Sequence, residues 1–169
     1  MKTLTIVLVL LAFTDGIHAQ PIDDARNNAF RDARHLATLL STGDGIKAAS
    51  MIHPNALAAL GGSQRVAAAF SVGPLVAREK GITIAVSIPS PPEEVATVGV
   101  RLFAIVKVRT LLHTSSGNVD IDCFWLGVSE DSGAKWSFVI FPHASNAMND
   151  AQKLFPEGTG DLVFPTTLN

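Results

Sequence analysis

Hydrophobic positions first recur at helical spacing and later alternate, and the two regimes divide the chain. Ile22, Ala25, Ala29, Ala33, Leu36, Ala37 and Leu40 recur every three or four residues, with Arg26, Arg31, Asp32 and Arg34 off the stripe. That pattern predicts a long amphipathic helix. Asp23 and Asp24 suit its positive end, and Ser41-Thr42-Gly43 closes it. The next stretch, Ile46 to Gly62, organises what surrounds it. Pro54 lacks an N–H and fixes its own φ, so a helix through Ile46 to Ile52 ends near His53 and a second, Asn55 to Leu60, opens at the proline. Asp44 is placed to cap the first, Gly61-Gly62 to stop the second, and Ser63 to cap a third. The third carries Val66, Phe70 and Ala77 on one face, with a kink or interruption expected at Gly73-Pro74 and a stop at Gly81.

From Ile82 the period is two. Ile82, Ile84, Val86 and Ile88 alternate with Thr83, Ala85 and Ser87, a strand with one buried face that ends at Pro89, Pro91 and Pro92. A long strand is expected from Val95 to His113. One of its faces carries Val98, Val100, Leu102, Ala104, Val106, Val108 and Thr110; the other carries Arg101, Phe103, Ile105, Lys107, Arg109 and Leu111. The turn Thr114 to Asn118 folds the next strand back, setting Arg109 opposite Asp122 and Lys107 opposite Phe124. Val119, Ile121, Cys123, Trp125 and Gly127 then share the apolar face. Asp131-Ser132-Gly133 is a further turn, and Trp136, Phe138 and Ile140 alternate along a last strand. A short helix with Met148, Ala151, Leu154 and Phe155 follows, and the tail Asp161 to Pro165 is expected to pack back on the domain.

The amino terminus changes the picture of where the protein works. Residues 1–19 hold one lysine, an apolar run from Leu4 to Phe13 and a polar stretch ending in Ala19. The run is far short of the roughly 20 residues that cross a bilayer, so it reads as a signal peptide cleaved after Ala19. Residues 20–169 then form a single domain, long enough for a real core, in the periplasm or outside the cell. Charge is close to balance, with no basic run, which excludes nucleic acid as the natural partner. Cys123 is the sole cysteine, so no internal disulfide supports the fold, and its position between Ile121 and Trp125 marks a buried structural thiol.

Three amino-terminal helices with the HPNALAALGG stretch, followed by a shorter and then several long antiparallel strands and the hairpin SEDSGAKWSFVIF, resemble the nuclear-transport-factor-2-like (SnoaL-like, cystatin-like) superfamily. The resemblance implies an α+β fold, with the helices packed in a strongly curved, mainly antiparallel sheet, a cone-like α+β barrel. It also implies a cavity at the open end and dimerisation through the sheet's outer face. It implies no particular reaction, because the fold carries isomerases, dehydratases, hydrolases and plain binding modules. Phe103, Ile105, Phe124, Leu126 and Phe141 are many apolar groups for a solvent face, which agrees with a homodimer there.

Candidate chemistry is sparse. The chain has no tyrosine, so the phenolic donor that isomerases of this fold resemble is missing. His53, at the helix break, could act as a general base if Asp44 oriented it; the plainer reading is a helix-end histidine bonding a free carbonyl. His35 lies at the edge of its helical stripe, and His113 and His143 end strands. No two histidines stand at ligand spacing on one element, so no metal and no cofactor are implied. Asp120 and Asp122 alternate on the outer face, and Ser129 to Gly133 lacks the ligands of a calcium loop. The preferred expectation is an exported, non-catalytic binding domain with a cavity lined by Leu102, Ala104, Val106, Trp125 and Phe138, for a small apolar ligand, or with a surface for a protein partner. These residues could equally fill a solid core. A small isomerase, dehydratase or hydrolase using His53 and Asp44, and a periplasmic inhibitor or immunity protein, are the alternatives.

Overall fold

A computed structural model describes residues 19–141, 144–157 and 162. The expected signal peptide, His143 and all of the tail except Leu162 lie outside the described residues. Helix α1 spans Ala19–Thr42, and its small residues Ala25, Ala29, Ala33 and Ala37 are buried together with Leu36. Ile22, predicted for the same stripe, is exposed, and Leu39 is buried in addition. Helix α2, Gly45–Ser50, is capped by Asp44, whose carboxylate accepts from the Lys47 N–H. Helix α3, Pro54–Ala59, follows with His53 as its cap. Gly61 and Gly62 both take positive φ, the backbone that ends α3.

Helix α4 spans Ser63–Glu79, which corrects the expected Ser63 cap and, of the kink or interruption expected at Gly73-Pro74, removes the interruption. The cap is Gly62, with no side-chain hydrogen bond, so Ser63 is already inside the helix. Pro74 does not interrupt α4, which runs on past it to Glu79. The helix lies at the surface, where a carbonyl that loses its i+4 donor to a proline can turn to water. Gly61-Gly62 and Gly81 therefore bound one continuous helix.

Five antiparallel strands form one open sheet: β1 (Thr83–Pro89), β2 (Val95–Val98), β3 (Arg101–Thr114), β4 (Gly117–Ser129) and β5 (Ser137–Phe141). The long strand expected over Val95 to His113 is instead a hairpin. Val98 pairs with Arg101 across a two-residue loop, and Gly99 takes φ 61°, as the first position of a type II′ turn requires. Continuous alternation through Val98, Val100 and Leu102 hid that turn. β1 and β2 run in succession along the same edge of β3, β1 against 108–113 and β2 against 101–104. The Ser90 N–H bridges them by donating to the Lys107 carbonyl at 2.8 Å. The prolines at 89, 91 and 92 thus sit on an edge, where a missing N–H costs no ladder bond. A bulge between Ile84 and Val86 shifts the register, which places Ile88 opposite Arg109 and leaves it exposed rather than on a buried face.

The register of β3 with β4 is as expected: Arg109 stands opposite Asp122, with a 3.5 Å ion pair, and Lys107 opposite Phe124. The other edge, β5, is met by the break between α2 and α3. The His53 N–H donates to the Phe138 carbonyl at 2.9 Å, and the Phe138 N–H donates to the Met51 carbonyl at 2.8 Å. Helix α5, Ala144–Leu154, lies against β4 and β5. Its Ala147 and Ala151 are fully buried, and Phe155 just beyond it meets Phe103 edge-on at 5.6 Å. No helix among the described residues is long and apolar enough to cross a membrane.

These contacts change the account of the sheet's outer face. Phe103, Phe124, Leu126 and Phe141 are buried within the single chain, and only Ile105 is half-buried. Side chains that seemed to call for a partner copy are covered by the chain itself, with Phe155 on Phe103. The apolar character of that face is therefore no argument for a homodimer through it.

Candidate ligand groove

The inner-face residues expected to line a cavity are packed as core. Ala104, Val106, Trp125 and Phe138 are buried, Leu102 half-buried, and the Trp125 and Phe138 rings meet edge-on at 6.1 Å. Gly127 belongs to the same packing, since a Cβ there would lie 3.0 Å from the Trp136 ring and 3.3 Å from the Phe138 ring. One polar atom in this layer is left over. The indole N–H of Trp125 is buried and makes no hydrogen bond among the described residues. Burial pushes the Cys123 thiol above its ordinary pKa; the indole eases it back but falls short of hydrogen-bond geometry. The thiol donates weakly to the Val108 carbonyl at 3.6 Å, as suits a structural cysteine.

A groove of about 530 Å³ lies elsewhere, over the β2–β3 turn. One wall is Val98, Gly99, Val100, Arg101 and Phe103; the other is Asn55 and the run from Leu154 to Glu157. Pairing puts Val98 opposite Arg101, so the hairpin turns both toward the face that also bears Phe103. Asn55 fixes the opposite wall, donating from Nδ2 to the Leu154 carbonyl at 2.8 Å. Arg101 stands at the rim, its Nε donating to Glu130 at 3.1 Å. Of the residues expected from the sequence in a site or a partner contact, the groove takes only Phe103, which was expected in the dimer face. The signal for it was Gly99: a glycine breaking an alternating run marks a bend.

His53 stands behind Phe155. It is only 4 % exposed, its ring meets Phe155 edge-on at 4.8 Å, and its Nδ1 accepts the Asn55 N–H at 3.1 Å. That acceptor role places the proton of the neutral ring on Nε2. Burial holds the His53 pKa below its ordinary value, while the two members of the neighbouring ion pair act in opposite directions, Glu130 raising it and Arg101 lowering it. Asp44 is occupied elsewhere, accepting from Lys47 N–H and pairing with the Lys47 ammonium at 2.9 Å, which lowers its pKa. Asp44 is not among the charges that His53 feels. The structure gives the two candidates separate duties, each at a helix start.

The remaining polar candidates are also accounted for locally. Asp131 takes the Ser129 hydroxyl at 2.8 Å and the Lys135 N–H at 2.9 Å, which closes the turn and lowers its pKa. Asp32 accepts the Trp136 N–H at 3.1 Å, tying α1 to β5. His35 is exposed, and His113 bonds Asn118 at 2.6 Å across the β3–β4 turn. No group of three or more His, Cys, Asp or Glu among the described residues could hold a metal ion. No family model matches the chain, and no curated protein matches it.

Proposed function

We propose that the protein is an exported, non-catalytic binding domain that takes a small, largely apolar ligand in the groove between the β2–β3 hairpin and the end of α5. The observation that carries this reading is the lining. Val98, Val100, Leu154 and Pro156, backed by the buried Phe103 and Phe155, form an apolar trough whose polar groups are Asn55, Arg101 and Glu157. Several hundred Å³, mostly apolar with a few polar groups to orient the guest, is what a small-molecule site needs. A reaction would need a second titratable group converging with His53, and Asp44 is spent on α2. The reading moves the ligand from the inner sheet face to the outer one.

Export rests on the pattern of residues 1–19. Kinship with the nuclear-transport-factor-2-like superfamily rests on the order of elements, helices first and a mainly antiparallel sheet after. In that kinship the sheet bends round α1 as a cone, and the β1 bulge and the break between β1 and β2 supply places to bend.

Titration of the mature protein with the fluorescent amphiphile 1-anilinonaphthalene-8-sulfonate tests the groove. Val98→Phe fills it from one wall without adding charge, and should weaken binding by about tenfold or more. Saturable binding that is unchanged in that variant would refute the assignment, as would no binding at all.

A further inference from the structure

Helix α4 turns one side to the molecule and leaves the other bare. Val66 is buried, and Ala67 and Ser71 press on Gly45 of α2 so closely that a Cβ there would collide with the Ala67 carbonyl. On the opposite side Ala68, Ala69, Val72, Leu75 and Val76 are all exposed, the three larger ones by 51 %, 60 % and 41 %. A surface helix ordinarily carries polar groups there. Charge returns only at the ends of the stripe. Arg65 lies one heptad before Val72 and Glu79 one heptad after it, so Arg65, Ala68, Val72, Leu75 and Glu79 follow the three-four spacing of a helix-pairing seam. Both end charges are exposed, and neither forms an ion pair among the described residues.

We infer that this face binds a second copy of the chain, α4 against α4, antiparallel about a two-fold axis at Val72. The stripe is self-complementary about that residue. The axis brings Arg65 of each copy alongside Glu79 of the other, and sets the small Ala68 and Ala69 against the larger Val76 and Leu75. A parallel pair would instead put Arg65 against Arg65. A membrane surface favours cations along such a stripe, and Glu79 opposes that. A contact in which one patch meets its own copy is the isologous geometry of a two-fold dimer. It lies on α4, not on the outer sheet face.

Sedimentation equilibrium of the mature protein at micromolar concentration should show a reversible dimer. Val72→Glu, at the axis, should raise its dissociation constant by about 100-fold or more. Arg65→Glu and Glu79→Arg should each weaken it by about tenfold, since each change occurs twice, and the double variant R65E/E79R should restore it. These positions are exposed, so the circular dichroism spectrum should stay that of the parent, and the thermal midpoint should fall only by the stabilisation that the dimer supplies, converging with the parent's at high dilution. In a C123S background, Val72→Cys should oxidise to a covalent dimer. A monomer at all concentrations, a dimer indifferent to Val72→Glu, or a charge swap that fails to restore would each overturn the inference. So would a monomer that instead sediments with anionic phospholipid vesicles.

Discussion

His53 shows how much one residue can carry without doing chemistry. Its backbone N–H ties the helical break to β5, its Nδ1 caps α3, and its ring fills space against Phe155. Loss of the cap costs about 1 kcal/mol and loss of an edge-on aromatic contact about 0.5–1.5 kcal/mol. His53→Ala should therefore lower stability by roughly 2 kcal/mol, read by denaturant unfolding, while His53→Asn, which can still cap, should lose less. The same residue sets a pH dependence. Burial depresses its pKa in the folded state, so the unfolded chain takes up the proton first as pH falls. Stability should be fully present above the ordinary histidine range and decline below about pH 6.5 until the folded-state pKa is passed. Protonation also removes the Nδ1 acceptor on which the cap depends. A thermal midpoint that falls on acidification in the parent and falls less in His53→Asn is the expected result; equal slopes would contradict it. The His-Pro break placed the residue at a helix end, but there its ring was expected to bond a free carbonyl, whereas Nδ1 accepts the Asn55 N–H and caps the helix that follows. The burial was not legible in the sequence, since nothing local announces that Phe155, from far along the chain, would close over the ring.

At the scale of elements, what the sequence hid was non-local or two-sided. The alternation from Val95 to His113 folds at Gly99, and the two-residue turn sets Val98 opposite Arg101, so Val98 shares the face of Phe103 and not, as expected, that of Leu102; apolar residues at 98, 100 and 102 kept the run unbroken and hid the turn. The outer-face apolar residues were legible, but the cover was supplied by the chain's own carboxyl-terminal segment. Local signals fared better where a single residue enforces the geometry: Asp44 caps α2, Gly61-Gly62 stops α3 and Gly81 follows α4. Ser63 failed as a cap because Gly62, with φ 99°, had already turned the chain into the helix. Gly45 is the tightest junction between elements, admitting α4 only because it has no Cβ. Gly45→Ala should cost about 1–3 kcal/mol by overpacking, and a thermal midpoint unchanged by the substitution would contradict the close approach of α2 and α4.

At the scale of the molecule, the two edges of the sheet are managed differently, and the groove arises from the difference. The edge along β3 is blunted by prolines and turned back at Gly99, which projects Val98 and Val100 outward. The β5 edge is occupied by residues 51–53, which anchors α3 and leaves Asn55 free to hold the end of α5. The hairpin and the run from Leu154 to Glu157 then stand apart with an apolar trough between them. Leu102, Ala104, Val106, Trp125 and Phe138, by contrast, belong to or pack against the hydrophobic core and are not among the residues that line the groove.

Native mass spectrometry of the mature protein purified from its own compartment, alongside Val98→Phe, tests this account most directly. The account predicts a reproducible small-molecule mass on the parent that is lost or strongly reduced in the variant. A parent that carries nothing, or a mass retained in full by Val98→Phe, would contradict it.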